Sequence, residues 1–296
     1  MLEVHEAADV FGVAEVVGLD PAARTDGEGE RLRDLLAHAG VLCLRMPRAL
    51  EDAELQAIAG LFGPIKDPVG RTKAGGTFRY AEPRQVIDAG FVLTDELRTK
   101  LGDLQFGGLD DDRPGLFETF HCDDTYTERP ARATVLHARA LPASGGGPTC
   151  FLDMRAAHAL LDPDTQQRIG ALHVLYAFDN EDAFPPRRSC KGEGEALVDV
   201  VHPLVRTHPL ARTRALFLDL DRAKHVVELA VGEGRALLQS LQDHAEANAP
   251  GCEHAWRDHD VLVWDNASVQ HKARGDFAKG EQRRFWRYMI EGERPV

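Results

Sequence analysis

The octapeptide Arg283-Arg284-Phe285-Trp286-Arg287-Tyr288-Met289-Ile290 constrains the fold of this 296-residue chain more than any other stretch. Read as a strand, its alternation sends Arg283, Phe285, Arg287 and Met289 to one face. Arg284, Trp286, Tyr288 and Ile290 fall on the other. Two arginines on an otherwise apolar face require anionic partners, because an unpaired buried charge is costly. A guanidinium fork suits a carboxylate, supplied either by an internal salt bridge or by a bound acid.

Further strand-like runs surround it in the sequence, at 41–45, 132–141, 149–152, 200–206, 215–220, 261–264 and 270–273. Helical periodicity is confined to a few segments. In 28–38, Leu32, Leu35 and Leu36 sit among charged residues, and in 50–61 the apolar face is Leu55, Ile58, Ala59 and Leu61. Shorter helices are predicted at 154–161 and 163–172, and a long one at 231–247. The predicted class is therefore mainly β with flanking helices, a barrel or jelly roll buttressed by helices. With no internal repeat and no low-complexity linker, residues 1–296 read as a single domain. The polar segments 65–118 and 178–198 read as loops, with one or two strands in the first, and both are candidate lids over a site.

Charge and cysteine usage exclude several function classes. A net charge of -13 argues against general nucleic-acid or anionic-membrane binding, which need a basic face. It leaves room for an anionic small molecule, since a few buried arginines dominate locally. The five cysteines are scattered and contain no CxxC pair, which favours a reducing, cytoplasmic setting over a disulfide framework or zinc ribbon. The start Met1-Leu2-Glu3-Val4-His5-Glu6 lacks the basic and apolar regions of a signal peptide, and no apolar run is long enough to span a bilayer. A homo-oligomer is compatible with the sequence.

One short motif carries chemistry. In Phe120-His121-Cys122-Asp123 an extended segment points His121 and Asp123 to the same side. These are two of the three ligands of a 2-His-1-carboxylate triad, which leaves open positions on a non-haem Fe(II). Cys122, between them, faces away and packs. Among thirteen histidines only His244 also precedes a carboxylate at this spacing, Glu246. That pair lies in a predicted helix, where residues two apart diverge by about 200° and cannot share an ion. For the third ligand the competitors are His202 and His208, each before a proline, His254, and His259 in a polar turn. His271 follows the Asp265-Asn266 turn beside the arginine strand and is the candidate, against the alternative of an ordinary core histidine.

Three ordered blocks resemble the TauD/TfdA family of Fe(II)/2-oxoglutarate dioxygenases. The first runs from Phe120-His121-Cys122-Asp123-Asp124-Thr125-Tyr126 through Pro130 to Gly145-Gly146-Gly147-Pro148-Thr149-Cys150-Phe151. The second is Val201-His202-Pro203-Leu204-Val205-Arg206-Thr207-His208-Pro209. The third is Trp264-Asp265-Asn266, then His271, Arg283 and Arg287. The resemblance covers the chain from about Val41 onward. It implies a double-stranded β-helix (a jelly roll, cupin-like) in which His121, Asp123 and His271 hold iron. It further implies that Thr149 and Arg283 bind the distal carboxylate of 2-oxoglutarate and that Arg287 meets the acidic group of the substrate. His208 falls in family scaffold.

The sequence also departs from the family pattern. Phe120 stands where Trp is usual, one extra residue sits in the glycine turn, and Asp124 occupies a position where an apolar residue is common. Lys66-Asp67-Pro68-Val69-Gly70 lacks the His and Tyr expected of a taurine site. The implied reaction consumes O2 and 2-oxoglutarate, releases succinate and CO2, and hydroxylates, cleaves or desaturates a small acidic substrate. Asp123 argues against a halogenase, in which a small residue replaces the carboxylate. Arg287 points to an acidic group, and Asp124 or Asp67 could receive an amine, so an amino acid or another carboxylate or sulfonate is expected. Two alternatives stand beside this reading: a catalytically silent barrel sensing iron or an acidic metabolite, and a cupin-like hydrolase or isomerase. Dependence of turnover on both O2 and 2-oxoglutarate separates the oxygenase from both.

Overall fold

The computed structural model describes residues 3–5, 11–22, 26–66, 69–71, 77–79, 87–92, 119–178, 198–278 and 281–296. Seven strands form the main sheet: β1 (Glu3–His5), β2 (Gly12–Val17), β3 (Gly40–Arg45), β15 (Val261–Asp265), β7 (Ala133–Ala140), β17 (Gln282–Ile290) and β6 (Ile87–Val92), in that spatial order. Only β2 and β3 run parallel; the other neighbours are antiparallel. A smaller sheet has the order β14 (Gly251–His254), β8 (Thr149–Asp153), β16 (Val269–Ala273). A third comprises β10 (Val200–Pro203), β9 (His173–Tyr176) and β13 (Ala223–Val226), with a hairpin of β11 (Val205–Thr207) and β12 (Arg214–Leu216) beside it. β4 (Val69–Arg71) pairs with β5 (Thr77–Arg79).

The main sheet is buried on both faces, which is why β3 and β15 read as unbroken apolar runs rather than as alternating ones. On its outer face Leu42, Leu44, Val135, Val261, Val263, Tyr288 and Ile290 meet Leu32 and Leu36 of α1 (Asp26–Ala39) and Leu55 and Ile58 of α2 (Asp52–Ala59). On the inner face Val41, Cys43, Leu136, Leu262, Trp264 and Phe285 pack against Phe151 and Val269 of the smaller sheet. The period of two along β17 thus divides the strand as its sequence predicts: Phe285 points inward, and Trp286, Tyr288 and Ile290 point outward. A second core gathers under α3 (Met154–Ala159), α4 (Pro163–Ile169) and α5 (Val231–Asn248), around Tyr176, Phe217 and Leu218.

Local chemistry sets where the helices begin. Asp153, last residue of β8, accepts from the Arg155 N–H at 2.9 Å and turns the strand directly into α3. Asp162 caps α4 in the same way, at 2.9 Å from the Thr165 N–H, with Pro163 in the first turn.

Several expectations are corrected in detail. The run at 200–206 is two strands, β10 and β11, separated at Leu204. The run at 215–220 is a strand only to Leu216, held by pairing with β11. Five described strands that periodicity does not single out (β1, β2, β9, β13 and β14) are short and mixed in polarity. Most of the two candidate lid segments, 65–118 and 178–198, lies outside the described residues, as does Asp67; the first contributes the strands β4, β5 and β6. Among the described residues no helix is long and apolar enough to cross a membrane.

Candidate metal centre

The site lies where the segment carrying His121 joins the open edge of β16. His121 and His271 form an antiparallel bridge, each backbone N–H reaching the other's carbonyl at 3.0 Å. Their rings sit 4.3 Å apart, centroid to centroid. Asp123 enters from the turn that follows, and its Oδ2 lies 3.9 Å from His271 Nε2. One ligand atom from each of His121, Asp123 and His271 falls within 4.8 Å of the other two. Cys122, between them, turns into the second core, its thiol 3.5 Å from the Val269 carbonyl.

The residues fit a divalent transition metal. His271 is buried, its Nδ1 has no hydrogen-bond partner, and burial together with nearby His121 pushes its pKa down to about 3. It therefore presents a neutral imidazole with a lone pair, the form that binds metal. Burial tends to raise Asp123. The ligand imidazoles where protonated, and the Arg287 charge and a hydrogen bond from Thr134 throughout, outweigh that and hold its carboxyl below the usual range. His121 Nδ1 lies 2.9 Å from the Thr119 carbonyl, which fixes Nδ1 as the protonated nitrogen and leaves Nε2 as the donor atom for a metal. Phe120, preceding the first ligand, lies under the Lys272 ammonium at 4.3 Å, so residues flanking two different ligands lock onto each other.

Three of the four competing histidines are occupied elsewhere. His202 Nε2 bonds the Thr127 carbonyl at 2.9 Å, and His208 Nε2 lies 2.6 Å from Asp265 in a buried pair. His254 pairs with Asp260, His259 sits in a turn at φ 70°, and His244 lies within α5, where its Nε2 reaches the Ala157 carbonyl at 3.0 Å.

Arg283 and Arg287 both lie on β17, on the face shared with Phe285. Arg283 is buried and is held by two neutral acceptors, the Gly147 carbonyl at 3.0 Å and Thr149 Oγ1 at 3.3 Å. Burial pushes it down to about 10, so it stays charged at neutral pH. Among the described residues it has no carboxylate within salt-bridge distance. Thr149 Oγ1 also accepts from Trp256 Nε1 at 3.0 Å, so its own hydroxyl proton is left to donate. The glycine turn makes this approach possible. Gly147 has φ +65°, and a Cβ there would stand 3.1 Å from Arg283 Cδ and Nε. Arg287 is one-third exposed, and its Nη1 lies 3.9 Å from Asp123 Oδ1.

Asp124 finds its amine inside the chain. At φ 60° its carboxylate takes Lys66 Nζ at 2.8 Å and the Tyr126 hydroxyl at 3.1 Å. Lys66 Nζ is completed by Thr127 Oγ1 at 3.0 Å and the Arg129 carbonyl at 2.6 Å. The charge of this carboxylate is thus already paired within the chain. Sequence reasoning also passed over Trp256 and Thr134, two strand- and loop-borne donors with no local signal to mark them.

Comparison with known proteins gives the same class. The sequence model described as "Taurine catabolism dioxygenase TauD, TfdA family" matches residues 3–289. An alpha-ketoglutarate-dependent 2,4-dichlorophenoxyacetate dioxygenase of Cupriavidus pinatubonensis is 31% identical over 83% of this chain and 82% of its own. An alpha-ketoglutarate-dependent sulfate ester dioxygenase of Pseudomonas putida is 27% identical, covering 100% of this chain and 91% of its own. The crystal structure of AAD-2 in complex with Mn(II) and N-oxalylglycine superposes with a TM-score of 0.76 at 25% identity, over 100% of this chain and 99% of the other. Fold and site together define a non-haem iron oxygenase of the 2-oxoglutarate-dependent class. The chain belongs to the TauD/TfdA family.

Proposed function

We propose that this enzyme hydroxylates, or oxidatively cleaves, a small acidic substrate such as a carboxylate or sulfonate. The observation that carries the proposal is the pairing of one three-ligand cluster with two arginines presented by a single strand face. In this reading His121, Asp123 and His271 hold Fe(II), and Thr149 and Arg283 receive the distal carboxylate of 2-oxoglutarate. When bound, iron and 2-oxoglutarate supply O2 activation and C–H oxidation, with release of succinate and CO2.

The chain's own residues do the positioning. Arg283 is a preorganised buried cation, so an incoming carboxylate gains a charge-assisted bond without any reorganisation of the guanidinium. The Thr149 proton completes a two-donor clamp. Arg287, next to Asp123, places the acidic end of a substrate close to the ligand cluster and turns its C–H bonds toward it. Asp124, satisfied by Lys66 and Tyr126, is left out of the substrate contacts. The relatives named above act on a phenoxyacetate and a sulfate ester, which supports an acidic substrate. The reading further takes the main and smaller sheets as the walls of a double-stranded β-helix within one domain. The buried or half-buried free thiols Cys43, Cys122, Cys150 and Cys252 support a cytoplasmic setting.

An anaerobic titration tests the assignment. Fe(II) followed by 2-oxoglutarate should give the weak visible charge-transfer band of the chelate, absent in His121→Ala. Arg283→Ala should weaken 2-oxoglutarate binding by about 10- to 100-fold, the loss of a hydrogen-bonded charge. A screen of sulfonates, sulfate esters and phenoxy acids with succinate readout then finds the substrate, and Arg287→Ala should raise its KM. Folded, iron-loaded protein without a band would overturn the oxygenase mechanism in favour of a silent barrel. Turnover unchanged in Arg287→Ala would remove the acid anchor.

A further inference from the structure

Asp123 is reached by a chain of hydrogen bonds whose direction is fixed from its far end. The Trp264 indole Nε1–H can only donate. It lies 3.0 Å from Asn266 Oδ1, which therefore identifies the carbonyl side of that amide. Asn266 Nδ2 then faces Thr134 Oγ1 at 3.0 Å and donates to it. The Thr134 oxygen accepts that bond, so its own proton goes to Asp123 Oδ2, at 2.6 Å. Trp264, Asn266 and Thr134 are 2%, 2% and 0% exposed, so no solvent competes along the path. The Trp264 ring also packs against His271, with centroids 4.6 Å apart, so one indole bears on two ligands.

We propose that Thr134, Asn266 and Trp264 are positioning residues: a one-way relay that holds the Asp123 carboxylate in its metal-binding orientation against capture by Arg287. This rests on the assignment of His121, Asp123 and His271 as the metal ligands. The competition is visible in the distances. Asp123 Oδ1 has Arg287 Nη1 at 3.9 Å, just outside direct contact, while Arg287 Nε is buried with no hydrogen-bond partner. A small rotation of the carboxylate would form a direct ion pair and take the oxygens away from the cluster. The short Thr134 bond prevents that rotation.

The test reads metal affinity rather than turnover. Co(II) is titrated into wild type, Thr134→Val, Thr134→Ser, Trp264→Phe and His121→Ala, following the visible d–d bands, with a thermal melt of each apoprotein. Thr134→Val keeps shape and strand propensity and removes the donor. Its Co(II) affinity should fall by about 10- to 100-fold, as expected for loss of an outer partner of a ligand, with a cooperative melt lowered only by the unpaired Asn266 amide and Asp123 oxygen. Thr134→Ser should restore the affinity. Trp264→Phe keeps the ring against His271 and frees the Asn266 amide to turn; it should show a smaller loss in the same direction. Combining Arg287→Ala with Thr134→Val should recover part of the lost affinity, because the competitor is gone. If Thr134→Val binds Co(II) as wild type does while His121→Ala does not, the relay is overturned and the ligand assignment stands. If Thr134→Val fails to fold, wild-type affinity and d–d bands in Trp264→Phe overturn it instead. If His121→Ala binds as tightly as wild type, the ligand assignment falls and the relay falls with it.

Discussion

The chain contains two clusters of ligand-type side chains among its described residues, and they behave oppositely. In both His121/Asp123/His271 and Cys43/His254/Asp260 the ligand atoms lie within 4.8 Å of one another, and both are largely buried. In the second, Asp260 Oδ2 is already taken by Arg45 Nη1 at 2.6 Å, the Arg257 N–H at 2.9 Å and His254 Nε2 at 3.1 Å. Burial, with Asp260 beside it, pushes the Cys43 thiol far up, so it stays protonated and offers no thiolate. In the first, Arg287 stops 3.9 Å from Asp123, and His271 Nε2 stands 3.9 Å from Asp123 Oδ2, too far for a hydrogen bond. Proximity of ligands is common to both. What separates a metal centre from a structural knot is whether the chain supplies the positive charge itself.

The sharpest way to break this comparison is to count metal. His271→Ala should weaken Mn(II) or Co(II) binding by more than about a hundredfold, beyond what loss of an outer-shell partner gives. Wild type should hold one ion per chain by elemental analysis, and a second, Cys43-dependent ion would refute the contrast.

Asp260→Ala should do the reverse. Removing one partner of a buried ion pair costs about 3 kcal/mol in urea unfolding, while Co(II) affinity at the other cluster stays as in wild type.

A smaller effect comes from His137, which bridges the Leu50 N–H at 3.1 Å and the Asp260 carbonyl at 3.2 Å. Burial pushes it down from the ordinary 6.5 to about 4. Its neutral form therefore stabilises the fold fully above pH 6.5. Between there and pH 4 the unfolded chain takes up a proton that the folded chain refuses, and stability falls. The shift corresponds to a loss of at most about 3 kcal/mol over that window. Urea midpoints measured from pH 7 to pH 4.5 should fall less steeply in His137→Gln. Equal slopes would mean that His137 is not the group responsible. Least of all, Cys43→Ala should cost about 1 kcal/mol, the loss of one small buried group, with no change in bound metal.

Much of the site was legible because its signals are local. The alternation from Arg283 to Arg287 follows from period two and the structure keeps it, whereas His121 and Asp123 come together with Asp123 in the turn after the bridge rather than on an extended segment. His271 stood open against an ordinary core histidine until the family resemblance singled it out, and three of its competitors, His202, His208 and His254, are engaged elsewhere. What was hidden depends on partners distant in the chain. Thr134 is one more residue of an apolar strand until Asn266 and Asp123 are brought to it. Asp124 looked like a receptor for a ligand amine, and nothing near it in sequence shows that Lys66 already fills that role. The same holds for the short strands: β9 is held at the centre of its sheet between β10 and β13, and β14 at an edge beside β8, so their strand character depends on neighbours distant in the chain.

The bridge between His121 and His271 has a consequence for how the protein reaches its working state. It joins segments far apart in the chain, and β16 pairs with β8 on one side while meeting His121 on the other. Loop closure on that scale is slow compared with helix formation, so the ligand cluster should be among the last contacts to assemble during folding. Metal would then arrive after the scaffold rather than guide it. A ligand-field spectrum recorded during refolding would serve as a clock for the final step.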